Sequence, residues 1–283
     1  MAEFLTSLGR YAFLQHAVAA GLLASVACGV VGTYVVTRRI TYIAGSIAHC
    51  VLAGIGAAKY LQVVYGLRWA TPMLGAIVSA VAAALIIGLV SLYARQREDT
   101  VIGAVWAAGM AIGVMFIART PGYAEDLMGY LFGNILLLTR QDLLVILVLD
   151  AVVVGAAVVW YDRFLAICFD EEYARLRGIN VEAYYLLLLC LTAITVVLLV
   201  SVVGIILVIA LLTLPAAIAG HVARNLWQMM LAATGFAALF TVGGIAVSYG
   251  PNLPTGATII VIAGIAYLAV AGLSAIAGRL RYG

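Results

Sequence analysis

Long stretches of this chain carry no charge. Leu186–Leu199, Val202–Ala219 and Thr258–Ala277 contain no Asp, Glu, Lys or Arg. A bilayer hydrocarbon core is ~30 Å thick and takes ~20 apolar residues per helical span. A chain with several such runs is a polytopic membrane protein. In hydrocarbon every backbone N–H and C=O must be paired internally, so the spans are helices or a closed barrel. The runs are continuous rather than alternating, which selects helices. Hydrophobic residues make up 66% of the 283 and charged residues 10%. No segment has a soluble composition, so residues 1–283 read as a single transmembrane domain.

The apolar pattern predicts spans at Tyr11–Val36, Ala44–Tyr65, Met73–Ala94, Thr100–Ala118, Gln141–Tyr161, Ala183–Val200, Ile205–Gly220, Trp227–Val247 and Gly256–Ala277. No polar turn separates Val200 from Ile205, so these two runs are either two short spans or one broken element. The expectation is an all-α protein with eight or nine transmembrane helices. With nine, strict alternation puts Arg38, Arg39, Arg95, Arg97, Arg163, Arg175, Arg177, Arg224, Arg279 and Arg281 on one side. Arg10, Arg68, Arg119 and Arg140 fall on the other. The richer side is cytoplasmic by the positive-inside rule, with the N-terminus outside. The run after Arg10 is too long for a signal peptide and lacks a small-residue cleavage site.

Several chemistries are excluded. The lone lysine, Lys59, follows Ala58, so there is no phosphate-binding Gly-Lys-Ser/Thr loop. HExxH and GxSxG are absent, and the chain does not read as an enzyme. Cys28, Cys50, Cys168 and Cys190 are scattered singly, which excludes a disulfide framework or a zinc knuckle. A net charge of +3 with arginines at span ends reports topology rather than nucleic-acid binding.

The few polar groups within the spans become the functional candidates. His49 lies in a small-faced helix with Gly45, Ser46, Ala48, Ala53 and Gly54. It is either a hydrogen-bonded packing residue or a metal ligand. Asp150 falls mid-span, either as a pathway residue or as an acid bonded to a neighbouring helix. Glu125 and Asp126 read as solvated loop acids, and His16 and His221 as interfacial residues. Pro215 should kink or break its helix. On the cytoplasmic side, within about 163–181, Asp170, Glu171 and Glu172 open a short helix that Arg175 and Arg177 close before Gly178. Acids at the start, bases at the end and glycine just beyond are favourable helix design. Such a helix between two spans reads as a docking element.

In order and spacing, these residues resemble the permease subunits of ABC-type importers of zinc, manganese or iron. The resemblance is carried by Arg38-Arg39 followed by His49 and Val51-Leu52-Ala53-Gly54. It continues in Gly129-Tyr130-Leu131-Phe132-Gly133-Asn134-Ile135-Leu136, and in Phe169-Asp170 through Ala174 and Gly178. Val203-Gly204-Ile205-Ile206-Leu207-Val208 through Leu214-Pro215-Ala216-Ala217-Ile218-Ala219 and Leu253-Pro254-Thr255-Gly256-Ala257 complete it. The resemblance implies a lipid-embedded homodimer in a bacterial or archaeal cell membrane. It implies a cytoplasmic ATPase dimer gripping Asp170, Glu171, Glu172, Ala174 and Gly178, and a metal-binding protein delivering the ion from outside. It also implies His49 as a metal contact, with no permanently bound cofactor.

The family places an aspartate one turn before this histidine, and the position here is Gly45. Fewer carboxylates favour zinc over manganese. The alternatives are an ion-coupled secondary carrier using Asp150, or a permease for a metal chelate such as a siderophore, haem or cobalamin.

Overall fold

The computed structural model describes residues 2–93, 98–121, 133, 138–205, 208–251 and 253–282. All regular structure among them is helical: α1 (Ala2–Leu8), α2 (Ala12–Arg38), α3 (Thr41–Val64), α4 (Pro72–Tyr93), α5 (Glu98–Arg119), α6 (Arg140–Val159), α7 (Tyr161–Phe169), α8 (Glu171–Leu176), α9 (Val181–Val203), α10 (Val208–Gly220), α11 (Leu226–Tyr249) and α12 (Thr255–Tyr282). Eight of these, α2–α6, α9, α11 and α12, are long and apolar enough to cross a membrane. Arg95, Arg97, Glu125, Asp126 and most of the 129–136 motif lie outside the described residues, as do Ile206 and Leu207.

Helix ends fix how often the chain crosses. Arg38 at the end of α2 bonds to the carbonyl of Ile167 in α7. Tyr93 at the end of α4 bonds to Glu182 at the start of α9, 3.0 Å away. Thr37 lies against Met229 at the start of α11. At the opposite end, Phe4 packs edge-on against Tyr249, and Tyr60 of α3 meets Phe116 of α5. Helices α9 and α11 therefore start at the same end, so the chain between them must return. Helix α10 lies on this return, and at 13 residues it is shorter than the ~20 a full span takes. Among the described residues, eight long apolar helices and the shorter α10 make up the bundle, and the end carrying Arg38, Arg39, Arg163, Arg175, Arg177 and Arg224 is the one the positive-inside rule expects to be cytoplasmic.

The break before α10 is made by backbone. Gly204 has a positive φ of 83°, which ends α9 without a polar turn. Gly133 also has a positive φ, 72°, and any side chain there would collide with Val203.

Pro215 sits inside α10 without ending it. Lacking an N–H, it leaves the carbonyl of Leu211 without its helical donor. The Cys28 thiol of α2 donates to that carbonyl at 2.7 Å. Cys28 therefore does more than fill space, because an unpaired carbonyl in hydrocarbon would cost several kcal/mol.

Packing among the spans rests on small residues that let backbones approach. Gly54 of α3 lies against the carbonyl of Gly75 in α4. A Cβ at Gly113 of α5 would lie 2.7 Å from the Leu52 backbone. Helix α3 is consequently enclosed from Ile43 to Leu52 within its own chain. This central helix carries His49.

Candidate metal pathway and coupling segment

Buried hydroxyls in this bundle satisfy themselves. Ser25, Thr33, Thr192, Thr195 and Thr241 each donate to a carbonyl four residues earlier, the usual resolution for a hydroxyl in a helix. Ser46 of α3 donates to Ile102 of α5 at 3.0 Å, and Cys50 to Val105 at 3.2 Å. Against that background, the buried side-chain atoms without a hydrogen-bond partner, among the described residues, are His49 Nδ1 and Asp150 Oδ1.

His49 is 9% exposed. Its ring stacks on Trp106 of α5, with centroids 4.4 Å apart and planes 13° from parallel. Trp106 in turn leans on Tyr42, near the start of α3. The stack fixes the imidazole plane and leaves an in-plane nitrogen for a ligand. Sequence reasoning missed Trp106, since an aromatic in an apolar run is ordinary packing.

The structure sharpens the reading of Gly45. Its missing side chain is not open space, because a Cβ there would lie 2.7 Å from Cδ1 of Ile209 in α10. The position one turn before His49 is therefore lined by hydrocarbon. An aspartate introduced alone would meet the Ile209 δ-methyl, which must swing away.

Asp150, 7% exposed, is on the α6 face with Ile146, Val153 and Ala157, and its carboxyl lies against the Ala27 backbone of α2. Helix α6 packs mainly on α2 and α9, whereas α3 packs mainly on α4 and α5. The two candidates therefore belong to different helix clusters. No group of three His, Cys, Asp or Glu side chains able to hold a metal occurs among the described residues.

In the segment expected on the cytoplasmic side, the helix opened by Asp170 is preceded by a second one. Helix α7 is the unforeseen part. It turns off α6 at Trp160 without glycine or proline, and it buries Phe164 and Ile167 on one face. Phe164 meets Tyr34 of α2 edge-on at 5.3 Å. Burial pushes the Cys168 thiol up to about 12, with the nearby Arg38 acting the other way. A thiol held protonated is neither a reactive nucleophile nor a good ligand.

Asp170 caps α8, its Oδ1 accepting from the Tyr173 N–H at 2.9 Å. Gly178, at φ 74°, closes α8 with bonds from its own N–H to Arg175 and from Ile179 to Ala174, both 3.0 Å. This is the left-handed C-terminal motif that glycine favours. Ala174 is fully buried, while Glu171 turns inward to pair with Arg38. The outward face carries Phe169 (68% exposed), Tyr173 (51%) and Leu176 (87%). The exposed apolar knob, which sequence reasoning overlooked in favour of the acids, is the part with most free surface.

Eight long apolar helices around a buried, unpaired imidazole, with a capped helical knob outside the bundle, make up a polytopic membrane protein of the kind the sequence resemblance implies. The comparisons agree. The ABC 3 transport family matches residues 10–273. A membrane protein of Synechocystis sp. is 44% identical over 95% of this chain and 93% of its own. The manganese transport system membrane protein MntC of Listeria monocytogenes is 34% identical over 93% and 91%. A structure of PsaBC from Streptococcus pneumoniae in complex with Fab superposes with a TM-score of 0.85 at 30% identity, over 95% of this chain and 94% of that one.

The chain belongs to the ABC 3 transport family. It is a multi-pass inner-membrane permease of an ABC metal importer, and in this family ATP hydrolysis is done by a separate subunit. The alternative of an ion-coupled secondary carrier gives way to this assignment.

Proposed function

We propose that this permease imports a divalent first-row metal ion, zinc ahead of manganese, as a homodimer. An extracytoplasmic binding protein delivers the ion, and two copies of a cytoplasmic ATPase bind around Asp170–Gly178. The observation that carries this reading is the unpaired, buried His49 Nδ1 on the stacked imidazole. A neutral imidazole holds a borderline-soft cation without adding buried charge. With Gly45 and Ile209 beside it, the site offers nitrogen and hydrocarbon where a carboxylate would favour manganese. Manganese is the second reading, favoured by the likeness to MntC of Listeria monocytogenes.

Competition between zinc and manganese for uptake by the complex in liposomes decides between them. Wild type should take zinc preferentially. Gly45→Asp alone should shift the ratio toward manganese only in part, because the new Cβ must first displace the Ile209 δ-methyl. Gly45→Asp with Ile209→Ala should make room for the carboxylate and raise the manganese share by about tenfold, the lower end of what disturbing a ligand's supporting partners costs. An unchanged metal ratio in the well-expressed double variant would mean that position 45 does not touch the ion.

A further inference from the structure

Arg38 is the last residue of α2, and its guanidinium sits at the joint between α7 and α8. One nitrogen donates to the Ile167 carbonyl at 2.9 Å. That carbonyl lies in the last turn of α7, where the chain becomes extended at Asp170 and the helical donors run out. A cation at this negative helix end is favourably placed. The other nitrogen pairs with Glu171 in the first turn of α8. The guanidinium also lies 5.5 Å from the Tyr185 ring centroid in α9. One side chain thus binds the end of α7, the beginning of α8 and the first turns of α9.

The chain immediately after Arg38 is a short, hydrogen-bonded turn. Arg39 has φ 63°, the left-handed C-terminal position in which many helices end. Its N–H bonds to Val36 at 3.1 Å, and the Ile40 N–H bonds to Val35 at 3.0 Å, closing α2 tightly. Helix α3 begins at Thr41, and its third turn carries His49. Only Arg39 and Ile40 separate Arg38 from the start of the His49 helix.

We propose that Arg38 is a positioning residue for transport. By clamping the α7–α8 joint to the α2–α3 turn, it makes the coupling segment and the His49 helix move as one body. The proposal rests on the reading of α8 as the ATPase docking element. It adds the route by which a push on α8 reaches the metal helix, and it gives the Arg38–Glu171 pair a role. Energetic coupling of this kind requires a contiguous mechanical element that both sites bias. The clamp and the two-residue turn supply one.

The test uses permease, ATPase and binding protein reconstituted in liposomes, with zinc as the probe. ATPase association, ATP hydrolysis and zinc taken up per ATP are read separately. Arg38→Ala should leave association within about twofold of wild type and cut zinc per ATP by at least about tenfold. Arg38→Glu and Glu171→Arg should each uncouple, and the two together should recover coupling above either alone. Normal zinc per ATP in Arg38→Ala overturns the proposal, as does a charge exchange that recovers nothing. Loss of association, hydrolysis and uptake in parallel also overturns it, since that is the signature of a folding contact. Leu176→Glu separates the underlying reading: if it leaves association intact, α8 is not the docking element, whatever the Arg38 variants do.

Discussion

Zinc uptake by complexes carrying His49→Ala should fall by more than about tenfold while the complex still assembles, because removing a metal contact costs at least what disturbing its supporting residues does. The imidazole is already desolvated and held in plane by Trp106 at 4.4 Å. Its Nδ1 satisfies no protein partner, so truncating it breaks no internal hydrogen bond at that atom. His49→Asn discriminates the roles. It keeps polarity and much of the volume but is a poor zinc ligand. If His49 is a contact for the ion, both variants should fail alike. If it is a packing residue, Asn should be much closer to wild type than Ala. Zinc flux into liposomes at matched protein levels reads the difference, and near-normal flux in His49→Asn would remove His49 from the pathway.

Leu176→Glu should release the ATPase. Leu176 is 87% exposed at the end of α8, on a helix fixed by the Asp170 cap and the Gly178 closure. Fully burying a leucine is worth roughly 1.5–3 kcal/mol. Two copies in a homodimer would lose roughly 3 kcal/mol or more, on the order of a hundredfold in affinity. Replacing the acids is a less direct probe than the sequence suggests. Asp170 caps the helix and Glu171 holds Arg38, so alanine at 170–172 mixes unfolding of the segment with loss of the clamp. Co-purification of the ATPase with Leu176→Glu at wild-type yield would place the docking surface elsewhere.

The membrane spans were legible because charge-free runs of their length have few other uses. The two suspects inside them, His49 and Asp150, were legible for a related reason. Ionisable side chains are rare in hydrocarbon, and the structure leaves one polar atom of each without a partner. The return through α10 was half legible. Pro215 announced irregularity, but the missing polar turn hid the break that Gly204 makes with φ alone. Helix α7 was not legible, since it leaves α6 without a breaker residue.

Long-range partners were hidden altogether. Nothing near Gly45 in sequence indicates that Ile209 lines its empty face, and nothing near Cys28 indicates that it serves the carbonyl freed by Pro215. Arg38 read as a topology marker because arginines at span ends usually are. Its bonds to Ile167 and Glu171 cross more than a hundred residues.

ATP-dependent metal flux tests most directly whether this chain moves a metal ion with energy from a separate ATPase. Permease and ATPase are reconstituted in liposomes with the binding protein loaded with zinc. Zinc accumulation is followed with ATP, with a non-hydrolysable analogue, and with a proton or sodium gradient alone. Accumulation is expected with ATP only, and it should be lost in His49→Ala. Accumulation driven by the ion gradient without ATPase, and abolished by Asp150→Asn instead, would contradict ATP-driven import through the His49 helix.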